Sequence, residues 1–369
     1  MGVDFYKSTF PVWYKDWLFK SLAVKDGEES SEKYLAPLFS LNKNWLKENY
    51  KQKEYSWDAQ DVARSYALYY MTINIPKLWM VLKHAGEWQN EALNSIESIT
   101  EFGSGPGTFL WSFLFYLKAH KPDALARLKS IKAVDISGEH LNIAKDLFTN
   151  LQSYDEFKHL KAEFIQKNWQ ETFDENSSDL NIFGNSLIES GMEPDFIQKS
   201  DLQNVLIIEP GTLEQFKRLR KIKDSLSAQD WHIHFPCPTM NKCPMKEDNW
   251  CHFHVNRFIQ PFIQKMSSAA GRKNHRHNFS AFLISKHNNK SSLQHYRILS
   301  PNRKVKRTSI RYICNGKNLH EAVLNRKERS ELNKDFISCE TASCCETSSK
   351  LKKSRILAVE SFKEWKQRT

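Results

Sequence analysis

Along Asp61-Val-Ala-Arg-Ser-Tyr-Ala-Leu-Tyr-Tyr-Met71 the apolar and aromatic residues recur every three or four positions. That spacing lines one face of a helix. The pattern resumes from Leu78 to His84, and Pro76 between the two stretches predicts a break, because proline lacks the backbone N–H that a helix interior needs. Glycine is absent between Gly27 and Gly86. Residues 1–95 therefore read as an N-terminal helical region packed on a larger domain.

The pattern changes near residue 96. Short β-type runs now alternate with helical stretches: Ile99–Glu101, Ile131–Asp135, Glu163–Gln166, Leu180–Phe183, Val205–Glu209 and Trp231–Phe235. A helical stretch from Thr108 to Leu128 separates the first two. Alternation of this kind predicts an α/β domain over residues 96–235, and continuous apolar runs suit a parallel sheet buried on both faces. Residues 236–337 form a cysteine-rich basic module with one strand-like run, Phe279–Ser285. In residues 338–369 the composition predicts a flexible tail: Ser338–Lys350 is rich in Ser, Thr, Glu and Cys, and Leu351–Gln367 reads as a short basic helix.

Charge alters this picture in one place. The chain has 369 residues and a formal charge of +11, from 54 Lys and Arg against 43 Asp and Glu. From Asn249 to His320 there is no Asp or Glu and there are 14 Lys or Arg, so the remainder sums to −3. A near-neutral body with one cationic segment predicts a polyanionic partner. Candidate contacts for it are Arg257, Arg272, Lys273, Arg276, Arg303, Lys304, Lys306, Arg307 and Arg311, which the resemblance given below would make RNA contacts. Aromatic residues in the same segment, among them Phe279, Phe282, Tyr296 and Tyr312, serve either to stack bases or to pack strands. With 40% hydrophobic residues and 11 Trp, wholesale disorder is excluded. No apolar run reaches the ~18 residues of a membrane helix, so no membrane partner is expected. The start resembles neither a secretory signal nor a mitochondrial presequence, which predicts a reducing, cytoplasmic setting.

Two constellations carry chemistry. In Glu101-Phe-Gly103-Ser-Gly105-Pro-Gly107-Thr108 a strand end passes into a helix. Glycines allow the unusual φ values of such a turn and let a ligand approach the backbone. The next strand ends in Asp135, whose carboxylate suits ribose hydroxyls. Gly-x-Gly-x-Gly, rather than Gly-x-Gly-x-x-Gly, favours a nucleoside cofactor other than NAD and resembles the turn of class I methyltransferases. Those enzymes bind S-adenosylmethionine. The second constellation is Cys237, Cys243 and Cys251, with Cys314 following inside Arg311-Tyr-Ile-Cys-Asn-Gly316. Clustered thiols in a reducing compartment point to a metal. Gaps of five and seven residues are wider than usual for zinc, and an iron–sulfur cluster also takes four thiolates. Spacing leaves both metals open, with His252 and His254 as reserve ligands. Cys339, Cys344 and Cys345 receive no role.

Together these residues resemble one family, the methyltransferase-like assembly factors of the mitochondrial small ribosomal subunit and their bacterial relatives. Quoted in order, the resemblance is carried by Tyr66–Pro76, Gly103–Thr108, Glu209-Pro-Gly-Thr212 with Phe216–Arg220, and Pro236-Cys-Pro with Lys242-Cys-Pro and Trp250-Cys-His-Phe253. Phe279–Lys286, Arg297–Pro301 and Cys314 near Gly316 complete it. It implies a class I methyltransferase fold, S-adenosylmethionine held near Glu101, Gly103, Gly105, Gly107, Asp135 and Asn168, and small-subunit ribosomal RNA as the partner of a free monomer. It further implies a 4Fe–4S cluster on Cys237, Cys243, Cys251 and Cys314. Where amino-methylating enzymes of this fold often carry Asn/Asp-Pro-Pro-Tyr/Phe, this chain reads Gly184-Asn-Ser-Leu-Ile-Glu189, and no catalytic base is evident. An S-adenosylmethionine-dependent RNA methyltransferase and a non-catalytic, metal-stapled RNA-binding factor are both consistent with these residues.

Overall fold

The computed structural model describes residues 9–21, 60–86, 92–191, 195–226, 230–256, 264, 267–268, 276–286, 295–353 and 356–364. The chain divides into two compact units. One comprises Met1–Trp79, Asn94–Met192 and His254–His277, the other Met80–Leu93, Glu193–Phe253 and Asn278–Thr369.

In the first unit, α1 (Tyr14–Ser21) precedes α2 (Gln60–Ser65), which runs through a π-helical turn, Tyr66–Met71, into α3 (Thr72–Lys83). Pro76 lies inside α3, so the expected break does not occur. Buried Ile73, Ile75, Leu78 and Trp79 hold the helix on both sides of the proline. The Ser112 hydroxyl also donates to the Ile75 carbonyl at 2.7 Å.

Strands β1 (Ser98–Phe102), β2 (Ser130–Asp135), β3 (Lys161–Gln166) and β4 (Leu180–Gly184) pair in parallel in the order β3-β2-β1-β4. Between them run α4 (Thr108–His120), α5 (Pro122–Arg127), α6 (Gly138–Leu151) and α7 (Trp169–Thr172), and α8 (Leu187–Ser190) follows β4. Helix α4 is buried from Thr108 to Leu117, the pattern of a helix enclosed on all sides. The single helix expected over 108–128 is instead two, interrupted where Lys121 adopts φ −144° and Pro122 starts α5. This is the mostly parallel α/β sheet expected of the class I methyltransferase fold. Chain order reverses at β1, which has β2 on one side and β4 on the other. Such a reversal opens a crevice at the carboxyl ends of the strands.

The second unit contains β5 (Asn204–Pro210), α9 (Leu213–Leu226), β6 (His232–Phe235), the first residue of β7 (Phe253–Asn256) and all but the first two residues of β8 (Arg276–Ser285). Strands β5 and β6 both pair with β8, and both pairings are antiparallel. A further sheet follows: β9 (Tyr296–Ile298), β10 (Arg303–Val305), β11 (Thr308–Cys314), β12 (Leu319–Asn325), β13 (Cys344–Lys353) and β14 (Ile356–Glu364). A short helix, α10 (Asp335–Ser338), lies between β12 and β13.

The expected flexible tail with a terminal helix is therefore corrected, since residues 344–353 and 356–364 are strands. Cys345, Leu357, Val359 and Phe362 enter a core with Ile298, Ile313, Leu324 and Phe336. Glu346, Ser348 and Lys350 take exposed positions of β13, with Thr347 and Ser349 half-buried between them, which gave this stretch the composition of a linker.

Candidate cofactor cleft and cysteine cavity

The glycine turn is built as its sequence requires. Gly103, Gly105 and Gly107 all take positive φ, at 65°, 52° and 79°. The Gly105 N–H donates to Asp135 Oδ2 at 2.7 Å, and the Ser137 N–H donates to Oδ1 at 2.9 Å. Asp135 thus fixes the loop from the end of the neighbouring strand. A cleft of about 1050 Å³, open to solvent, brings together Gly103, Gly105, Asp135 and Asn168 with Tyr66, His140, Trp169, Asn185 and Ser186.

Two expected cofactor residues stand elsewhere. Glu101 is 1% exposed and caps α4, accepting from the Phe109 N–H at 3.1 Å and the Leu110 N–H at 2.8 Å. Its carboxyl is pushed up to about 8, chiefly by burial, with the Asp135 charge adding and the two amide bonds opposing. Gly107 faces Trp111, whose Nε1 would lie 2.5 Å from a Cβ at that position. Both residues shape the turn rather than line the cleft. Asn168 does line it, and its Oδ1 also caps α7 by accepting from the Gln170 N–H at 3.2 Å.

The sequence did not reveal Tyr66, His140 or Ser186 as cleft residues. Tyr66 opens the π-helical turn and its ring stands 5.3 Å from that of His140. Turns of that kind recur at functional sites. Ser186 Oγ is buried and has no hydrogen-bond partner among the described residues. A Cβ on Gly103 would meet Ser186 Cβ at 2.5 Å. An orphaned hydroxyl and a backbone cradle without side chains fit a polar ligand such as S-adenosylmethionine.

In the second unit Cys237, Cys243, Cys251 and Cys314 line one cavity with apolar neighbours including Phe216, Leu219, Met245, Phe253 and Phe282. Helix α9 holds the cysteine loop through two cations. Lys223 Nζ donates to the Asn241 carbonyl, and Arg220 donates to the Met245 carbonyl at 3.2 Å. Trp250 Nε1 donates to the Gly211 carbonyl at 3.0 Å, and the Ser280 hydroxyl to the Cys251 carbonyl at 3.1 Å. The β11–β12 turn closes on the same loop, where Gly316 has φ +86° and a Cβ would sit 2.3 Å from Thr239 Oγ1. Its N–H donates to Cys314 Sγ at 3.3 Å.

Burial pushes the Cys237 thiol up to about 12, and raises Cys251 and Cys314 as well, with neighbouring thiols adding to the effect. The positive charges of Lys223 and Arg297 act in the opposite direction on Cys237 and Cys314. No three His, Cys, Asp or Glu side chains among the described residues stand close enough for a single-ion site. Four thiols around an apolar space match in donor type a polynuclear iron–sulfur cluster. His252 is not on the cavity wall; its ring stacks on Trp250 at 5.4 Å.

The cationic candidates divide. Arg257, Arg272 and Lys273 lie outside the described residues. Arg276, Arg303, Lys304, Lys306 and Arg307 are exposed. Arg311 is not a surface cation: it is 2% exposed and donates to the carbonyls of Phe336, Ser300, Ile337 and Cys339. It ties α10 to β11, which removes it from the RNA candidates. Arg297 is likewise buried and donates to the carbonyls of Pro236, His84, Ala342 and His234.

Residues 60–338 match the family described as the mitochondrial small ribosomal subunit Rsm22. The chain belongs to this family. The Rsm22 match takes in the glycine turn, the cleft and all four cavity cysteines, and it stops before β13. A comparison with curated proteins found no match. Among solved structures, TrmK of M. capricolum with bound S-adenosylhomocysteine is 13% identical over 55% of this chain and 70% of its own, with TM-score 0.29. The magnesium protoporphyrin IX methyltransferase of Synechocystis is 9% identical over 58% and 84%, with TM-score 0.33. The plantazolicin methyltransferase BpumL is 10% identical over 70% and 98%, with TM-score 0.36.

Proposed function

We propose that this Rsm22-family chain is a methyltransferase-like factor of the small ribosomal subunit that binds S-adenosylmethionine and ribosomal RNA. The observation that carries the cofactor reading is the cleft at the switch point of the parallel sheet, where Gly103, Gly105, Asp135 and the unpartnered hydroxyl of Ser186 meet. Gly103 and Gly105 offer bare backbone, Asp135 accepts from ribose hydroxyls, and Tyr66 and Trp169 offer apolar walls. S-adenosylmethionine, when bound, supplies an activated methyl group. Calorimetry with S-adenosylhomocysteine tests this: the wild type binds, and Gly105→Asp, which sets a second carboxylate beside Asp135, abolishes the heat. A folded wild type that gives no heat removes the cofactor.

A second component of the proposal is a 4Fe–4S cluster on Cys237, Cys243, Cys251 and Cys314. It is supported by four thiols lining one largely apolar cavity and by Lys223 and Arg297, which line it too and offset thiolate charge. Zinc at a single point is the weaker reading, because it needs four donors converging on one ion. The non-catalytic alternative has a specific support: where amino-methylating enzymes of this fold often carry Asn/Asp-Pro-Pro-Tyr/Phe, this chain reads Gly184-Asn-Ser-Leu-Ile-Glu189. A methylation assay on small-subunit RNA separates the two, since a non-catalytic factor binds cofactor and RNA without transferring label.

A further inference from the structure

Five strands of the second unit pair in a closed ring. Strand β9 pairs antiparallel with β11, β11 with β12, and β12 runs parallel to β14. Strand β14 pairs antiparallel with β13, and β13 returns to β9. Numbered by position, this is a five-stranded barrel with connectivity 1-2-3-5-4-1 and a short helix, α10, between the third and fourth strands. That connectivity belongs to the oligonucleotide/oligosaccharide-binding fold. Such barrels bind ligands on the outer face of strands two and three and on the loop between strands one and two.

Here strands two and three are β11 and β12. Alternation along β11 turns Ser309, Arg311 and Ile313 inward, where all three are buried, and leaves Tyr312 41% exposed on the outer face. Tyr312 stands opposite Glu321, and Ile310 stands opposite Val323 on the same face. The Tyr312 hydroxyl reaches Glu321 Oε2 at 3.4 Å, which steadies the ring and disfavours a phosphate beside it. The connection between strands one and two carries the β10–β11 hairpin, with Arg303, Lys304, Lys306 and Arg307 all exposed. None of these four enters an ion pair among the described residues. The two-residue turn between the paired Val305 and Thr308 puts Lys306 at φ 52°, a conformation Gly or Asn adopts more easily. A basic side chain is held at the tip despite that strain.

We propose that this barrel is a platform for single-stranded RNA, in which Tyr312 stacks an unpaired base and the hairpin cations hold the neighbouring phosphates. The four positive charges select a polyanion over a neutral saccharide. Stacking on an exposed ring requires a base that is not already paired, which selects single strand over duplex. The proposal deepens the ribosomal RNA reading above and rests on it for the choice of RNA. The barrel includes β13 and β14, which lie beyond the residues of the family match.

Fluorescence anisotropy with the full chain and a labelled single-stranded RNA, against the duplex of the same sequence, tests it. The wild type prefers the single strand. Tyr312→Ala weakens binding about tenfold while Tyr312→Phe does not, because the ring and not the hydroxyl stacks. Joint replacement of Lys304, Lys306 and Arg307 by Ala lowers the logarithmic salt slope by about 2, from roughly 0.7 per lost phosphate contact on a single strand. Wild type that binds small-subunit RNA, with all these variants unchanged, overturns the platform and leaves the ribosomal reading standing. Wild type that binds no RNA overturns both.

Discussion

Glu101 sits where the fold and the cofactor turn meet, and its carboxyl group makes a specific pH prediction. It is buried, accepts from two amides at the start of α4, and is held up to about 8 against an ordinary 4.5. A raised acid binds its proton more tightly in the folded state than in the unfolded one. Between pH 4.5 and 8 the unfolded chain has lost this proton and the folded chain keeps it, so stability falls as pH rises through that window. At about 1.4 kcal/mol for each pH unit between 4.5 and 8, the upper bound is about 5 kcal/mol. Glu101→Gln keeps an acceptor for the amides and carries no proton to lose. Urea unfolding of both proteins at pH 5 and pH 8.5 isolates this residue, because other titrations cancel in the difference. The variant gains on the wild type by a few kcal/mol from the first pH to the second. Parallel pH dependence in the two proteins, or a uniform loss in the variant, would refute a buried neutral carboxyl.

Three other outcomes follow from the second unit. Gly316→Ala forces a Cβ to 2.3 Å from Thr239 Oγ1 at φ +86°, and lowers stability by roughly 1–3 kcal/mol in thermal melts. Adding Thr239→Gly recovers part of that loss, because it removes the collision though not the backbone strain. Arg311→Met leaves four carbonyls without their donor and costs roughly 3–5 kcal/mol in denaturant unfolding, whereas Lys304→Ala is close to neutral. Glu340, lowered to about 2 chiefly by His84, whose Nε2 stands 3.5 Å from Oε2, and also by Lys83 at 2.6 Å, stabilises the folded chain above about pH 4.5. That contribution is lost as pH falls toward 2, and acid titration of Glu340→Gln shows a shallower fall than the wild type.

Much of the first unit was legible because its signals are local. Apolar runs gave β1 to β4, and the glycines of 103–107 with Asp135 gave the turn. Pairings between distant segments were not legible. Antiparallel β8 meeting both β5 and β6 depends on residues some fifty or more positions apart. The barrel escaped notice because β13 consists mostly of Glu, Ser, Thr and Lys and keeps only scattered apolar residues for its core. Arg311 was misplaced for a related reason. Its charge suggested surface, while strand alternation next to Tyr312 turns it inward onto carbonyl oxygens. The four cysteines singled out by their clustering line one cavity, but Gly316, Lys223 and Arg297, which shape that cavity, become visible only once the chain is folded.

The account turns most directly on what the four thiols hold. Iron, acid-labile sulfide and zinc should be counted on protein purified without oxygen, for the wild type and for Cys251→Ser. The expected result is a brown wild type with about four irons and four sulfides per chain, both lost in the variant. Colourless protein carrying one zinc per chain, or no metal with the fold intact, would contradict it.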